Sequence, residues 1–207
     1  QLLNDDNIRE VRLAALKNLL NNKDSKLIKT LQKSTRANEP EVRRASLQAL
    51  TKLSSKVALK ESQRMLKSES PFDRQIAIRA LASIKDKKAT ASILGMLKTI
   101  ENQPIEVHLD IIETAKAAGD PDLTKALEAY ETKISKDDPL AAFQVTLAGG
   151  DIGKGRAVLY GHGAAQCTRC HKADPNRKGG VAGPNLKNAG KKHDAAYLLE
   201  SLILPNA

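Results

Sequence analysis

The stretch Val11-Arg12-Leu13-Ala14-Ala15-Leu16, closed by Leu19, recurs as Val42-Arg43-Arg44-Ala45-Ser46-Leu47 with Leu50, an offset of 31 residues. A further 31 places Arg74, Ile76, Ala77, Ile78 and Leu81 in the same register, and a step of 34 reaches Val107, His108, Ile111, Ile112 and Ala115. Self-similarity at such a period decides the architecture, because each copy is one supersecondary unit that cannot bury its apolar face alone. The apolar positions fall three and four apart, which is one face of an α-helix. Pro40, Pro71 and Pro104 each precede a periodic segment, where a missing N–H does no harm at a helix start.

Each copy reads as two helices. After the first comes a break at Asn21-Asn22-Lys23-Asp24, Ser54-Ser55, Lys85-Asp86 or Gly119-Asp120-Pro121. A second apolar stripe follows, carried by Leu27, Ile28 and Leu31, then Val57, Leu59, Met65 and Leu66, then Ile93, Leu94, Met96, Leu97 and Ile100, then Leu123, Leu127 and Tyr130. Four such pairs must stack on one another, which predicts an α-solenoid. The Val-Arg-x-Ala-Ala-Leu-x-x-Leu signature resembles HEAT-type repeats over residues 1 to about 139. That resemblance implies a scaffold or docking surface with no chemistry of its own. His108 stands in the register of Arg12, Arg43 and Arg74 and is read as a polar residue at a structural repeat position. Met65 and Met96 fall on apolar faces and read as core, although a thioether can also ligate iron.

Composition agrees with helix-on-helix packing. Aromatic residues are 2% of the 207 and Trp is absent, so a core must come from Leu, Ile, Val and Ala. The formal charge of +10 is divided evenly, nine Lys/Arg against four Asp/Glu from Gly149 onward and 25 against 20 before it. With no long run of like charge and few aromatics to stack on bases, nucleic acid is not expected as a partner, and most of the charge reads as solvated helix surface. No stretch approaches the roughly 18 apolar residues of a membrane span, and no leader opens the chain. Gln1 begins almost inside a helical pattern, so the sequence reads as a piece of a longer polypeptide.

A composition shift follows Asp137-Asp138-Pro139. The helical repeat fades, glycines cluster from Gly149, and the boundary between two domains is set at 147/148. Both cysteines lie beyond it, in Cys167-Thr168-Arg169-Cys170-His171. Two thiols at this spacing can each form a thioether to one haem vinyl group, and the imidazole of the next residue can then ligate the iron. Three other readings stay open: a Cys167–Cys170 disulfide, a thioredoxin-like dithiol, and a zinc site built from both cysteines and two of His162, His171 and His193. The dithiol wants a strand-helix context that is missing here.

The flanks extend the haem reading. Gly155-Arg156-Ala157-Val158-Leu159-Tyr160 reads as a helix entering the motif, Gly183-Pro184-Asn185-Leu186 follows in a Gly-rich loop, and a third helix over 194–204 is opened by Asp194 and stopped by Pro205. This succession resembles the mono-haem cytochrome c fold. The resemblance implies one covalent haem c, with Cys167 and Cys170 as tethers and His171 as proximal iron ligand. It further implies that the Pro184 carbonyl takes the proton of the second His171 nitrogen and that Leu186 packs on the haem. A narrower match, over about 149–207, is to the haem-binding domain appended to large exported proteins of planctomycetes and verrucomicrobia. It rests on Gly150-Asp151, Gly155-Arg156-Ala157, Ala165-Gln166-Cys167 to His171, Gly183 to Leu186, Tyr197-Leu198-Leu199-Glu200-Ser201 and Pro205-Asn206. Members commonly carry HEAT repeats before this domain and a sugar-dehydrogenase-like β-propeller further upstream, which this chain lacks.

The fold expected is therefore all-α, a HEAT-like α-solenoid followed by a small cytochrome c-like domain truncated at its C-terminus. A distal Met loop would fall after Ala207, so the sixth ligand is expected beyond that position or on another chain. His193 is the candidate within this chain, His162 is read as nearer the haem edge or solvent, and an open position is the remaining case. The function expected is electron transfer, as a module of a larger dehydrogenase-type oxidoreductase in the periplasm or otherwise exported. Its partners would be a redox protein, steered if acidic by Lys172, Lys178, Lys187, Lys191 and Lys192, and a protein or the rest of the parent chain docked on the repeats. The rivals are an interaction scaffold with a structural or sensory haem, or zinc, and a peroxidase-like enzyme with an open distal side, which a distal His plus an Arg near the iron would favour.

Overall fold

The computed structural model describes residues 9–21, 26–174, 176 and 179–205. Residues 22–24 of the first expected break, together with Arg177, Lys178 and Asn206, lie outside the described residues. Among those described there are helices and turns and no strand, so the fold is all-α. Two compact units divide the chain, Gln1–Lys133 and Ile134–Ala207, where the composition shift had pointed to 147/148.

The N-terminal unit holds four helix pairs: α1 (Arg9–Asn21) with α2 (Leu27–Ser34), α3 (Pro40–Leu53) with α4 (Ser55–Met65), α5 (Pro71–Leu81) with α6 (Lys87–Lys98), and α7 (His108–Ala118) with α8 (Pro121–Glu131). The breaks work through local caps. Ser54 Oγ accepts the Val57 N–H at 3.5 Å, Asp86 the Lys88 N–H at 2.8 Å, and Asp120 the Asp122 N–H at 3.0 Å, each satisfying a donor that its helix leaves orphaned. Pro40, Pro71 and Pro121 open their helices directly. Pro104 differs, because a 3-10 turn at Ile105–Val107 intervenes before α7, which accounts for the longer step to the fourth copy. Gly119 ends α7 in the left-handed conformation at φ 63°, where a side chain would be strained.

First helices pack on first helices, α1 on α3, α3 on α5 and α5 on α7, while α2 packs on α3 and α4 and α8 on α6 and α7. The core between them is aliphatic: Leu31, Val42, Leu47, Leu50, Ile78, Leu81, Ile93, Ile111 and Leu123 are buried, as is Met65. Met96 is only half-buried.

Polar side chains repeat with the same period. Arg43 Nη1 donates to the carbonyls of Ala37 (2.9 Å) and Asn38 (2.7 Å), and Arg74 Nη1 to those of Ser68 (2.6 Å) and Glu69 (3.1 Å). His108 follows suit through Nε2, which donates to the Gln103 carbonyl at 2.9 Å, again five residues upstream. The imidazole thus replaces a guanidinium in holding the turn that enters its own helix. Ion pairs run between neighbouring copies: Arg12 with Glu39, Arg43 with Asp73 at 2.7 Å, and Arg79 with Asp110. Glu61 is buried between α2 and α4 and accepts from Gln32 (2.8 Å), Thr35 (3.1 Å) and Arg64 (2.8 Å), with Arg36 at 3.4 Å. Burial pushes its carboxyl upward, but these donors and charges outweigh burial and hold it below the ordinary range. Asp110 goes the other way, raised by burial against the opposing pull of Arg79.

The C-terminal unit contains a 3-10 turn at Ala141–Thr146, α9 (Ile152–Gly161), a short α10 (Cys167–Cys170), a short α11 (Ala189–Lys192) and α12 (Ala195–Ile203). Asp151 caps α9 through the Lys154 N–H at 3.0 Å, and Asp194 caps α12 through the Tyr197 N–H at 2.8 Å. Among the described residues of this unit none is buried, although apolar side chains are plentiful. Ile152 and Val181 are more than nine-tenths exposed, and Val158, Tyr197 and Leu202 about half or more.

Candidate cofactor site

Residues 162–174 and 179–186 form two arms of a loop folded back on a single helical turn. Gln166, in the left-handed conformation at φ 44°, turns the chain into α10, and its carbonyl accepts the Arg169 N–H at 2.8 Å. Cys167 and Cys170 occupy the two ends of that turn, both as free thiols, the first half-buried and the second exposed. His171 leaves the helix in extended backbone.

The returning arm of the loop is pinned to this motif by three backbone bonds. Gly180 N–H donates to the Thr168 carbonyl (2.9 Å), Gly183 N–H to Cys170 (2.9 Å) and Leu186 N–H to Lys172 (2.8 Å). Approach this close requires glycine at three points. A Cβ on Gly179 would lie 2.7 Å from the His171 carbonyl oxygen, one on Gly180 would collide with the Arg169 carbonyl, and one on Gly183 would lie 2.5 Å from Cε1 of the His171 ring. Gly183 therefore presses on the imidazole itself, a contact the sequence reading did not foresee.

His171 Nδ1 lies 2.8 Å from the Pro184 carbonyl oxygen. A carbonyl only accepts, so the proton sits on Nδ1 and the lone pair on Nε2, the tautomer that suits a metal ligand whose second nitrogen is held. Among the described residues, Nε2 has no hydrogen-bond partner. Leu186 is half-buried beside this segment.

The other histidines are occupied differently. His162 Nδ1 accepts the Ala165 N–H at 3.1 Å, which leaves a neutral ring with its proton on Nε2 and no lone pair to spare. His193 stacks on Tyr197 with ring centroids 4.2 Å apart and 13° between planes. Among the described residues no group of three or more His, Cys, Asp or Glu side chains is gathered to hold a metal ion, so the four-ligand zinc set is not assembled.

Around the motif, Arg156 lies 3.8 Å from Asp174 and 5.2 Å from the Tyr160 ring centroid, and Arg169 Nη1 donates to Gln166 Oε1 at 3.2 Å. Lys187, Lys191 and Lys192 are exposed and Lys172 is half-buried. No helix among the described residues is long and apolar enough to cross a membrane. Comparison with family models, with curated proteins and with solved structures finds no match to this chain.

Proposed function

We propose that the C-terminal unit is a cytochrome c-like domain carrying one covalent haem c, and that the chain serves electron transfer as a module of a larger exported oxidoreductase. The observation that carries this reading is the bond from His171 Nδ1 to the Pro184 carbonyl, next to two free thiols at thioether spacing. It fixes the imidazole orientation, frees Nε2 and raises the donor strength of the ring. A second support is the missing core: apolar side chains on α9, α12 and the intervening loop lack anything to cover, and a large planar apolar group attached at Cys167 and Cys170 would give them a centre.

Each residue then has a task. Cys167 and Cys170 hold the porphyrin, His171 supplies the proximal nitrogen, Pro184 orients it, and Leu186 offers an apolar contact. Bound iron would supply one-electron chemistry, with a potential tuned by the axial ligands and the hydrogen bond on His171. Of the candidates within the chain for the sixth position, His193 retains a nitrogen free to ligate, whereas His162 spends its lone pair on Ala165. The N-terminal unit is assigned as a HEAT-type solenoid that docks a protein or the remainder of a parent chain, supported by its 31-residue register of Arg43, Arg74 and the helix-pair packing. A periplasmic or otherwise exported location follows from the haem reading.

The test is an absorption spectrum of the denatured, reduced protein in alkaline pyridine. A c-type haemochrome that resists acid-acetone extraction is expected, and a colourless protein would reduce the chain to a scaffold with a dithiol. Carbon monoxide added to the reduced protein separates a six-coordinate carrier, which resists it, from an open, peroxidase-like site.

A further inference from the structure

We propose that the second helices of the first three repeats form a docking surface for an acidic, extended polypeptide segment. This deepens the docking role given above to the N-terminal unit and is independent of the haem. Summed over the sequence the charge is evenly spread, but the fold sorts it by layer. The first helices neutralise their arginines internally, as Arg12, Arg43 and Arg79 each face a carboxylate of the next repeat. Helices α2, α4 and α6 carry a single carboxylate, Glu61, and it is buried.

Their exposed charge is entirely basic, and it is in register. Lys29 and Lys60 stand 31 residues apart within α2 and α4, and the same offset relates Arg36 and Lys67, each two residues past the end of its helix, to Lys98 at the end of α6. All five are exposed. Arg36 is already engaged with Glu61, whereas among the described residues no ion pair is made by Lys29, Lys60, Lys67 or Lys98. Solvated surfaces ordinarily intersperse both signs, and equivalent like charges repeated along a stack repel one another. The fourth second helix shows the ordinary pattern, since α8 mixes Lys125 with Asp122, Glu128 and Glu131, the last paired with Lys116 at 3.1 Å.

The chemistry of the occupant follows from what accompanies the lysines. There is no aromatic side chain on α2, α4 or α6 on which a base could stack. The large exposed apolar residues of this unit, Leu53 and Ile105, lie off these helices, so the face has no side chains to insert into a lipid surface. Packed helices such as α2 and α4 lie about 8–10 Å apart, which three residues of extended chain also span. Carboxylates at every third position of such a chain would meet successive basic rows.

The probe is a fluorescent peptide with glutamate at every third position, titrated by anisotropy with the full chain at low and high salt. Saturable binding is expected at low salt, weakened about tenfold by combined Lys60→Glu, Lys67→Glu and Lys98→Glu and little changed by Lys125→Glu with Lys133→Glu. Lys→Gln at the same three positions serves where the reversals disturb folding, which circular dichroism reports. Absence of binding, equal losses in both variants, or tighter binding of duplex DNA or phosphatidylserine vesicles than of the peptide overturns the proposal. The haemochrome spectrum of the same preparation keeps this failure separate from failure of the haem reading.

Discussion

The two halves of this chain solve the problem of a stable interior in opposite ways. The N-terminal unit closes its aliphatic core with its own side chains and satisfies buried charge with carboxylates supplied by the neighbouring repeat. The C-terminal unit caps its helices and pins its loop just as carefully, yet none of its described residues is buried. Good local structure without burial leaves conformational entropy uncompensated, and the proposed haem would supply the interior that these apolar side chains lack.

Removing both proposed tethers is the strongest way to break this contrast. In Cys167→Ala/Cys170→Ala, limited proteolysis is expected to digest residues 134–207 while 1–133 resists; equal resistance of both halves would show that the C-terminal unit needs no cofactor. Next in size, Leu50→Ala in the aliphatic core should cost about 2–5 kcal/mol in urea unfolding of the N-terminal unit. Glu61→Gln should cost about 1–3 kcal/mol at neutral pH, because the donors on Gln32, Thr35 and Arg64 lose their charged, buried acceptor. The pH dependence sharpens this. A carboxyl held below its ordinary value contributes stability that is present above the unfolded pKa and lost as pH falls through the folded one, so E61Q should flatten the acid limb below about pH 4.5. Asp110 has the opposite sign: raised, it favours the folded state at low pH and loses that contribution as pH climbs above its ordinary 3.8, so D110N should remove that fall in a melting profile. Smallest of all, Val181→Ser should leave the stability of the cofactor-free chain within about 0.5 kcal/mol, because a side chain 92% exposed has little to lose.

The periodic half was the more legible in sequence. Val42, Leu47, Leu50, Ile76, Ile78 and Leu81 announced their burial through spacing, and Ser54, Asp86 and Asp120 marked the breaks through cap chemistry. Glu61 did not announce itself, since a carboxylate between Lys60 and Ser62 looks like surface until Gln32, Thr35 and Arg64 are brought around it. The layering of charge was equally hidden, because net charge over a segment says nothing about which helix faces a partner. At the candidate site Cys167, Cys170, His171 and the Asp194 cap could be read from spacing alone. The contact of Gly183 with the imidazole could not, because it depends on how the loop returns, and the His162 tautomer could not, because it rests on the local bond from the Ala165 N–H.

The arginine register has a consequence for how such a chain can change length. Arg43 and Arg74 each anchor a helix to the turn just before it, and Arg43 reaches forward to Asp73, so every bond in the ladder spans at most one period. Duplicating or deleting a whole 31-residue copy would therefore leave each surviving bond from arginine to carbonyl intact, because donor and acceptor travel together. Loss of a few residues inside a copy would instead break the bonds that span the gap and misalign that copy against its neighbours, so growth and shrinkage by complete repeats is the route this architecture leaves open to evolution.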